Sequence, residues 1–128
     1  RLHEALRATR GAVAAVAEVL PGPGLLRYAG VGNISASVWS SGGSQRLVSM
    51  NGTLGYAVSR VREFSYSWPP EGVLVLHSDG LQTRWSLDDY PGLVARDPAL
   101  VAGVLYRDWA RGRDDVTVMV ARARKVAP

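Results

Sequence analysis

The stretch Val73-Leu74-Val75-Leu76-His77-Ser78-Asp79-Gly80-Leu81 places the tightest limit on how this chain can fold. Four consecutive β-favouring aliphatics predict a strand buried on both faces. At its end the polarity changes abruptly: Asp79 sits at the strand's tip, and Gly80 permits a sharp exit. A carboxylate at the end of a buried strand is held rigidly and partly desolvated, a cost best tolerated where the charge meets a cation. A second acidic place precedes another strand, where Arg113-Asp114-Asp115 leads into Val116-Thr117-Val118-Met119-Val120. If the two strands are antiparallel neighbours, Asp79 and Asp114/Asp115 share one edge of one sheet. Oxygen ligands clustered there without Cys or His suit hard divalent cations such as Mg²⁺ or Mn²⁺. The alternative is structural: Asp-Gly after a strand is a turn signal, and Arg113 can pair with either acid on the surface.

A chain of 128 residues is one domain, 1–128, and long enough to bury a core. Without Cys there are no disulfides, zinc thiolate sites or cysteine nucleophiles, which is compatible with the cytoplasm, the expected location. No apolar run is long enough to cross a bilayer, so no membrane partner is expected. The chain opens Arg-Leu-His in mid-pattern, which predicts a piece trimmed at its N-terminus rather than a secretory leader. The net charge of +4 comes from Arg residues scattered singly through the chain, apart from the basic tail at 122–128, expected to fray. No nucleic-acid-binding signature accompanies that charge, and no nucleic-acid partner is expected.

The chain in order reads as an α+β domain with antiparallel sheet. Leu2–Thr9 has helical spacing, and Gly11–Leu20 reads as a strand stopped by the hairpin turn Pro21-Gly22-Pro23-Gly24. Leu25–Gly30 is its partner. Ile34–Ser40 alternates apolar and polar residues and predicts a half-buried strand, returning after Ser41-Gly42-Gly43-Ser44 as Gln45–Met50. Val61–Trp68 alternates again, with Phe64, Tyr66 and Trp68 opposite Ser65 and Ser67. Asp97-Pro98 starts a helix, with Leu100, Val101, Val104 and Leu105 as its apolar face and Gly112 as its stop. Asp115–Ala121 is the last strand, giving about seven in all.

Five motifs in fixed order together resemble the C-terminal part of a PPM-type metal-dependent protein phosphatase, in the bacterial branch named after stage II sporulation protein E. They are Thr9-Arg10-Gly11-Ala12, Tyr28-Ala29-Gly30-Val31-Gly32-Asn33-Ile34, Asn51-Gly52-Thr53-Leu54-Gly55, Leu76-His77-Ser78-Asp79-Gly80-Leu81 and Arg113-Asp114-Asp115-Val116-Thr117-Val118. The resemblance implies an antiparallel β-sandwich flanked by helices, here lacking its N-terminal strands. It implies serine/threonine phosphatase activity on a phosphorylated regulatory protein of a stress or sigma-factor partner-switching pathway. It also implies a two-metal Mn²⁺ or Mg²⁺ site with Asp79, Gly80 and Asp114 as metal residues. Asp79 and Asp114 would act through water held by the cations and aimed at phosphorus. In some relatives such a module follows an ATP-binding kinase-like domain. Two departures stand out. The family's early Asp-Gly, which bridges both metals, has no counterpart before residue 79, so the ligand set is incomplete; and Gly32-Asn33 replaces Gly-Asp, which argues against a third metal. An inactive pseudophosphatase serving as a protein-binding module is the competing expectation.

Other residues carry paired readings. Arg10 can meet substrate phosphate bidentately or cap a helix end. Asn33, after its two-glycine turn, can approach a bound anion or cap the turn. His77 is expected to be a packed, hydrogen-bonded strand histidine, with orientation of Asp79 as the alternative. Trp85 and Tyr90 follow the central strand and suit either a protein-binding flap or the core. Ser78 lacks the His-Asp relay of a nucleophile.

Overall fold

A computed structural model of the chain describes residues 2–5, 12–54, 61–113 and 115–124. The Val73–Leu76 run lies at the centre of a four-stranded antiparallel sheet. Its strands are β3 (Ser35–Ser40), β4 (Gly43–Leu47), β6 (Val73–His77) and β7 (Val118–Arg122), in the order β4-β3-β6-β7. A second antiparallel sheet holds β1 (Ala14–Leu20), β2 (Leu25–Val31) and β5 (Phe64–Ser67), in the order β1-β2-β5. The helices are the four-residue α1 (Leu2–Ala5) and α2 (Pro98–Trp109), with single 3-10 turns at Leu87–Asp89 and Leu93–Ala95.

Strand periodicity explains the layering. Successive side chains of β6 point to opposite faces. Leu74 and Leu76 join Ala36 and Val38 of β3 in a cluster with Leu26 and Tyr28 of β2 and with Trp68, so residues of both sheets share one core. Val73 and Val75 face the other way, into a cluster with Trp39, Trp85, Leu87 and Leu93 and with Val101 and Leu105 of α2. Helix α2 thus covers the outer face of the four-stranded sheet. One helix lies on that side, where flanking helices were expected; among the described residues no comparable helix covers the three-stranded sheet.

Turn and cap chemistry places the elements. Pro21-Gly22-Pro23-Gly24 closes the β1–β2 hairpin in the register Leu20↔Leu25, with the Gly24 N–H donating to the Pro21 carbonyl at 3.1 Å. Gly24 has φ +67°, a conformation that glycine adopts without a Cβ clash. Helix α2 begins as the sequence predicts: the Asp97 carboxylate accepts the Ala99 N–H at 2.8 Å and Pro98 occupies the first turn.

Three expectations need correction. β3 is buried on both faces rather than half-buried, because the two sheets cover Ala36 and Val38 while the helical layer covers Trp39. Ser37 tolerates burial there by accepting the Trp39 indole N–H at 2.8 Å. Leu100 does not belong to the buried face of α2 and is 42% exposed, since Val101 and Leu105 point at the sheet. Finally, α2 ends at Trp109 instead of running to Gly112, whose φ of +78° shapes the following loop.

Candidate functional site

The end of β6 and the approach to β7 meet at one sheet edge. The strands are antiparallel in the register His77↔Val118, so chain leaving β6 at Ser78-Asp79-Gly80 runs beside chain entering β7 at Asp115-Val116-Thr117. Ser78 ties the two segments together three ways. Its N–H donates to the Thr117 carbonyl at 3.0 Å, its hydroxyl accepts the Thr117 N–H at 3.0 Å, and the hydroxyl donates to the Asp115 carbonyl at 3.3 Å. Gly80 is buried against Asp115, and a Cβ on it would overlap that residue's carbonyl and lie 2.8 Å from Val116 Cγ2. Its φ is not in the left-handed region. The glycine therefore serves close approach of two backbones, not the sharp exit expected from its flexibility.

Arg111 completes this corner. Its Nε–H donates to the Asp79 carbonyl and its main-chain N–H to the Gly80 carbonyl, both at 2.9 Å. Leu81, wholly buried, bridges to Ala110, and the Gln82 N–H donates to the Trp109 carbonyl at 2.9 Å. The Asp79-Gly80 turn is thus braced from α2's end as well as from β7. The carboxylates of Asp79 and Asp115 both lie on the solvent side, in exposed residues.

Asn33 belongs to the same edge. Ser35 pairs with His77, so the chain entering β3 through Gly32-Asn33 emerges beside the chain leaving β6. Asn33 is exposed, and Gly32 has φ +94° with its N–H donating to the Met50 carbonyl at 2.8 Å. A Cβ on Gly32 would overlap Val13, so this turn too needs glycine. The Asn51–Gly55 motif lies nearby: Leu54 and Ala12 exchange backbone hydrogen bonds of 2.7 and 2.9 Å.

Arg10 and Asp114 lie outside the described residues, as do Gly11 and Gly55. Among the described residues, no three His, Cys, Asp or Glu side chains converge closely enough to hold a metal ion. The structure brings Asp79, Gly80, Asp115 and Asn33 to one edge. What the edge offers is oxygen atoms, the donor type that hard cations take. Gly80's carbonyl is already accepting from Arg111, so a cation there would share it.

His77 sits one step below this edge and points into the helical layer. It is 4% exposed, with Nδ1 2.8 Å from the Ser78 carbonyl and Nε2 accepting the Trp85 indole N–H at 3.2 Å. Those contacts put the ring proton on Nδ1. Burial pushes the His77 pKa down, and the bond to the Ser78 carbonyl offsets that only in part. His77 is therefore a packed, neutral strand histidine. Trp85 is core, its ring tilted 33° against that of Trp39 with centroids 5.3 Å apart. Tyr90 is partly exposed, donating to Asp108 at 2.6 Å and accepting from Trp109 at 3.0 Å. Arg107 and then Tyr90 hold the Asp108 carboxyl down at about 2.

Sequence reasoning missed Ser78 as a clamp and Arg111 altogether. Its sequence context offers Ser78 only as a nucleophile without a relay. Arg111 carried one signal, its position three residues before Asp114, which by itself says nothing about which turn it braces.

The two packed antiparallel sheets have a PPM-like fold. The chain aligns with RsbX and with the phosphatase domain of SpoIIE. It is similar to RsbX in complex with magnesium, with a TM-score of 0.72 and 18% identity over 94% of this chain and 60% of that one. It is similar to the phosphatase domain of the cell-fate determinant SpoIIE from Bacillus subtilis, presoaked with Mn, with a TM-score of 0.65 and 18% identity over 91% and 58%. A chain of the bacterial stressosome, a modular system adapted to control secondary messenger signaling, aligns with a TM-score of 0.82 and 32% identity over 94% of this chain. The present chain spans 63% of the length of that one. No protein-family model and no curated protein matches the sequence. Among the described residues, no helix is long and apolar enough to cross a membrane.

Proposed function

We propose that this chain is the C-terminal part of a metal-dependent serine/threonine phosphatase of the PPM type. Its substrate would be a phosphorylated regulatory protein in a partner-switching pathway. The observation that carries this reading is the corner where Ser78-Asp79-Gly80 is stapled to Asp115-Val116-Thr117, on a fold shared with phosphatase domains. Asp79 and Asp114, with the Gly80 carbonyl, would hold Mn²⁺ or Mg²⁺. The chemistry a cation supplies there is activation of water for attack on phosphorus. The chain's own residues do the positioning. Ser78 and Arg111 fix the Asp79 backbone, Gly80 lets the two segments touch, and Asn33 and Arg10 would meet substrate phosphate. N-terminal strands and a bridging carboxylate outside residues 1–128 would complete the ligand set.

A second reading rests on the stressosome neighbour and the ligand set visible here: a pseudophosphatase that binds a regulatory partner without hydrolysis.

The test is Mn²⁺-dependent hydrolysis of a phosphoserine peptide by this chain and by a longer one carrying the preceding sequence, each with Asp79→Asn. Hydrolysis abolished by chelator and by the substitution supports the phosphatase. Activity that survives Asp79→Asn overturns the site assignment. Silence in both chains, with partner binding intact, leaves the binding module.

A further inference from the structure

On the helical side of the four-stranded sheet, beside the part that α2 covers, a cavity of about 420 Å³ opens between β3, β4 and the segment Thr83–Ser86. That volume is within the range of small-ligand sites. The hydrogen-bonding character of its wall is one-sided. Arg46 and Arg84 line it, and no Asp or Glu does. Neither arginine forms an ion pair among the described residues; Arg46 reaches only the Thr83 carbonyl, at 3.5 Å. Two of the lining hydroxyls lean the same way, while Ser49 donates to the Ile34 carbonyl at 3.1 Å. Ser37 Oγ already accepts the Trp39 indole N–H, and Ser86 Oγ already accepts the Asp88 N–H at 3.2 Å, so each keeps its proton to donate. The aromatic side is formed by Trp39 and Trp85.

From this wall of two guanidiniums and donor hydroxyls, we infer that the cavity is an oxyanion site for a phosphate group, carried on a phosphorylated side chain or free in solution. Guanidinium matches phosphate oxygens bidentately, and serine hydroxyls can complete the shell. The site is separate from the carboxylate edge: it presents cations where that edge presents acids, and it needs no metal. The inference does not rest on the phosphatase reading.

The experiment follows the four indole N–H signals by NMR while the full chain is titrated with inorganic phosphate, then with a phosphoserine peptide and its unphosphorylated twin. Chelator is present throughout, which keeps the carboxylate edge out of the readout. Phosphate is expected to shift the Trp39 and Trp85 signals and to leave Trp68 and Trp109 in place. Arg46→Gln with Arg84→Gln, both at exposed positions, is expected to weaken binding by at least about 10-fold. Arg62→Gln with Arg107→Gln, which removes the same charge elsewhere, is expected not to. If the phosphopeptide binds more tightly than phosphate and the unphosphorylated peptide does not bind, the ligand is a phosphorylated side chain. If phosphate alone accounts for the affinity, it is the free ion. Unmoved Trp39 and Trp85 signals, or equal loss in both arginine pairs, would overturn the inference.

Discussion

Gly80 lies so close to the main chain of Asp115 that a side chain of any size on it would displace the carbonyl. The contact joins the exit of β6 to the entry of β7, and both flanking carboxylates depend on it for their relative position. Gly80→Ala is expected to destabilise the fold by about 1–3 kcal/mol, the cost of overpacking a rigid contact. Gly103→Ala is the internal comparison. It stands in α2 with open space around it and is expected to gain roughly 0.5–1 kcal/mol from helix propensity. Urea melts of the two variants check both signs.

Ser78 is expected to matter through its hydroxyl's two backbone partners and not as a nucleophile. Ser78→Ala leaves the Thr117 N–H and Asp115 carbonyl without that partner, at a cost of about 0.5–1.5 kcal/mol. Hydrogen exchange at Thr117 should accelerate. An unchanged Thr117 rate would show that the clamp is not formed.

His77 makes stability depend on pH. Its folded pKa lies below the ordinary value of 6.5, chiefly because burial disfavours the charged ring. The unfolded chain therefore binds the proton first as pH falls, and protons favour unfolding. The His77 contribution is fully present above about pH 6.5 and declines as pH drops through that value toward the folded pKa. Urea melts of wild type and His77→Gln at pH 7.5 and 5 should show a steeper acid loss in wild type. A slope shared by both would assign the effect to other groups.

The α2 cap is a local device with a local cost. Asp97→Ala removes the acceptor for the Ala99 N–H and is expected to lower stability by about 1 kcal/mol. Asp97→Asn should recover most of it, which thermal melts can resolve.

The metal binding proposed for the carboxylate edge has a readout independent of turnover. A cation bound only to the folded chain, at 100 times its Kd, adds about 2.7 kcal/mol. Mn²⁺ is expected to raise the melting temperature of a chain with its full ligand set, and chelator to reverse it. Asp79→Asn should abolish the shift, and an identical shift in the variant would move the cation elsewhere.

Much of this architecture is written in short-range chemistry. The Val73–Leu76 run, the Pro-Gly-Pro-Gly hairpin and the Asp97-Pro98 helix start depend on side-chain periodicity and on φ preferences within a few residues. They form where the sequence places them because no distant contact is needed to choose among conformations. The antiparallel pairing that carries Asp79 toward Asp115 was also legible, since an acid ending one strand and acids starting another suggest a common edge.

What the sequence could not state depends on groups far apart in the chain. Ser37 is polar yet buried, because Trp39 supplies a donor and a helical layer closes over it. Arg111 braces a turn 32 residues away, and Ser78 reaches across 37 and 39. Such partnerships follow from the register of strands and the seating of α2 on the sheet. The cavity walled by Arg46 and Arg84 exists for the same reason: the sheet is wider than the helical layer that covers it. Local propensity determined the strands and the helix of this protein; which side chains meet at the carboxylate edge and in the cationic cavity was decided only when the layers packed.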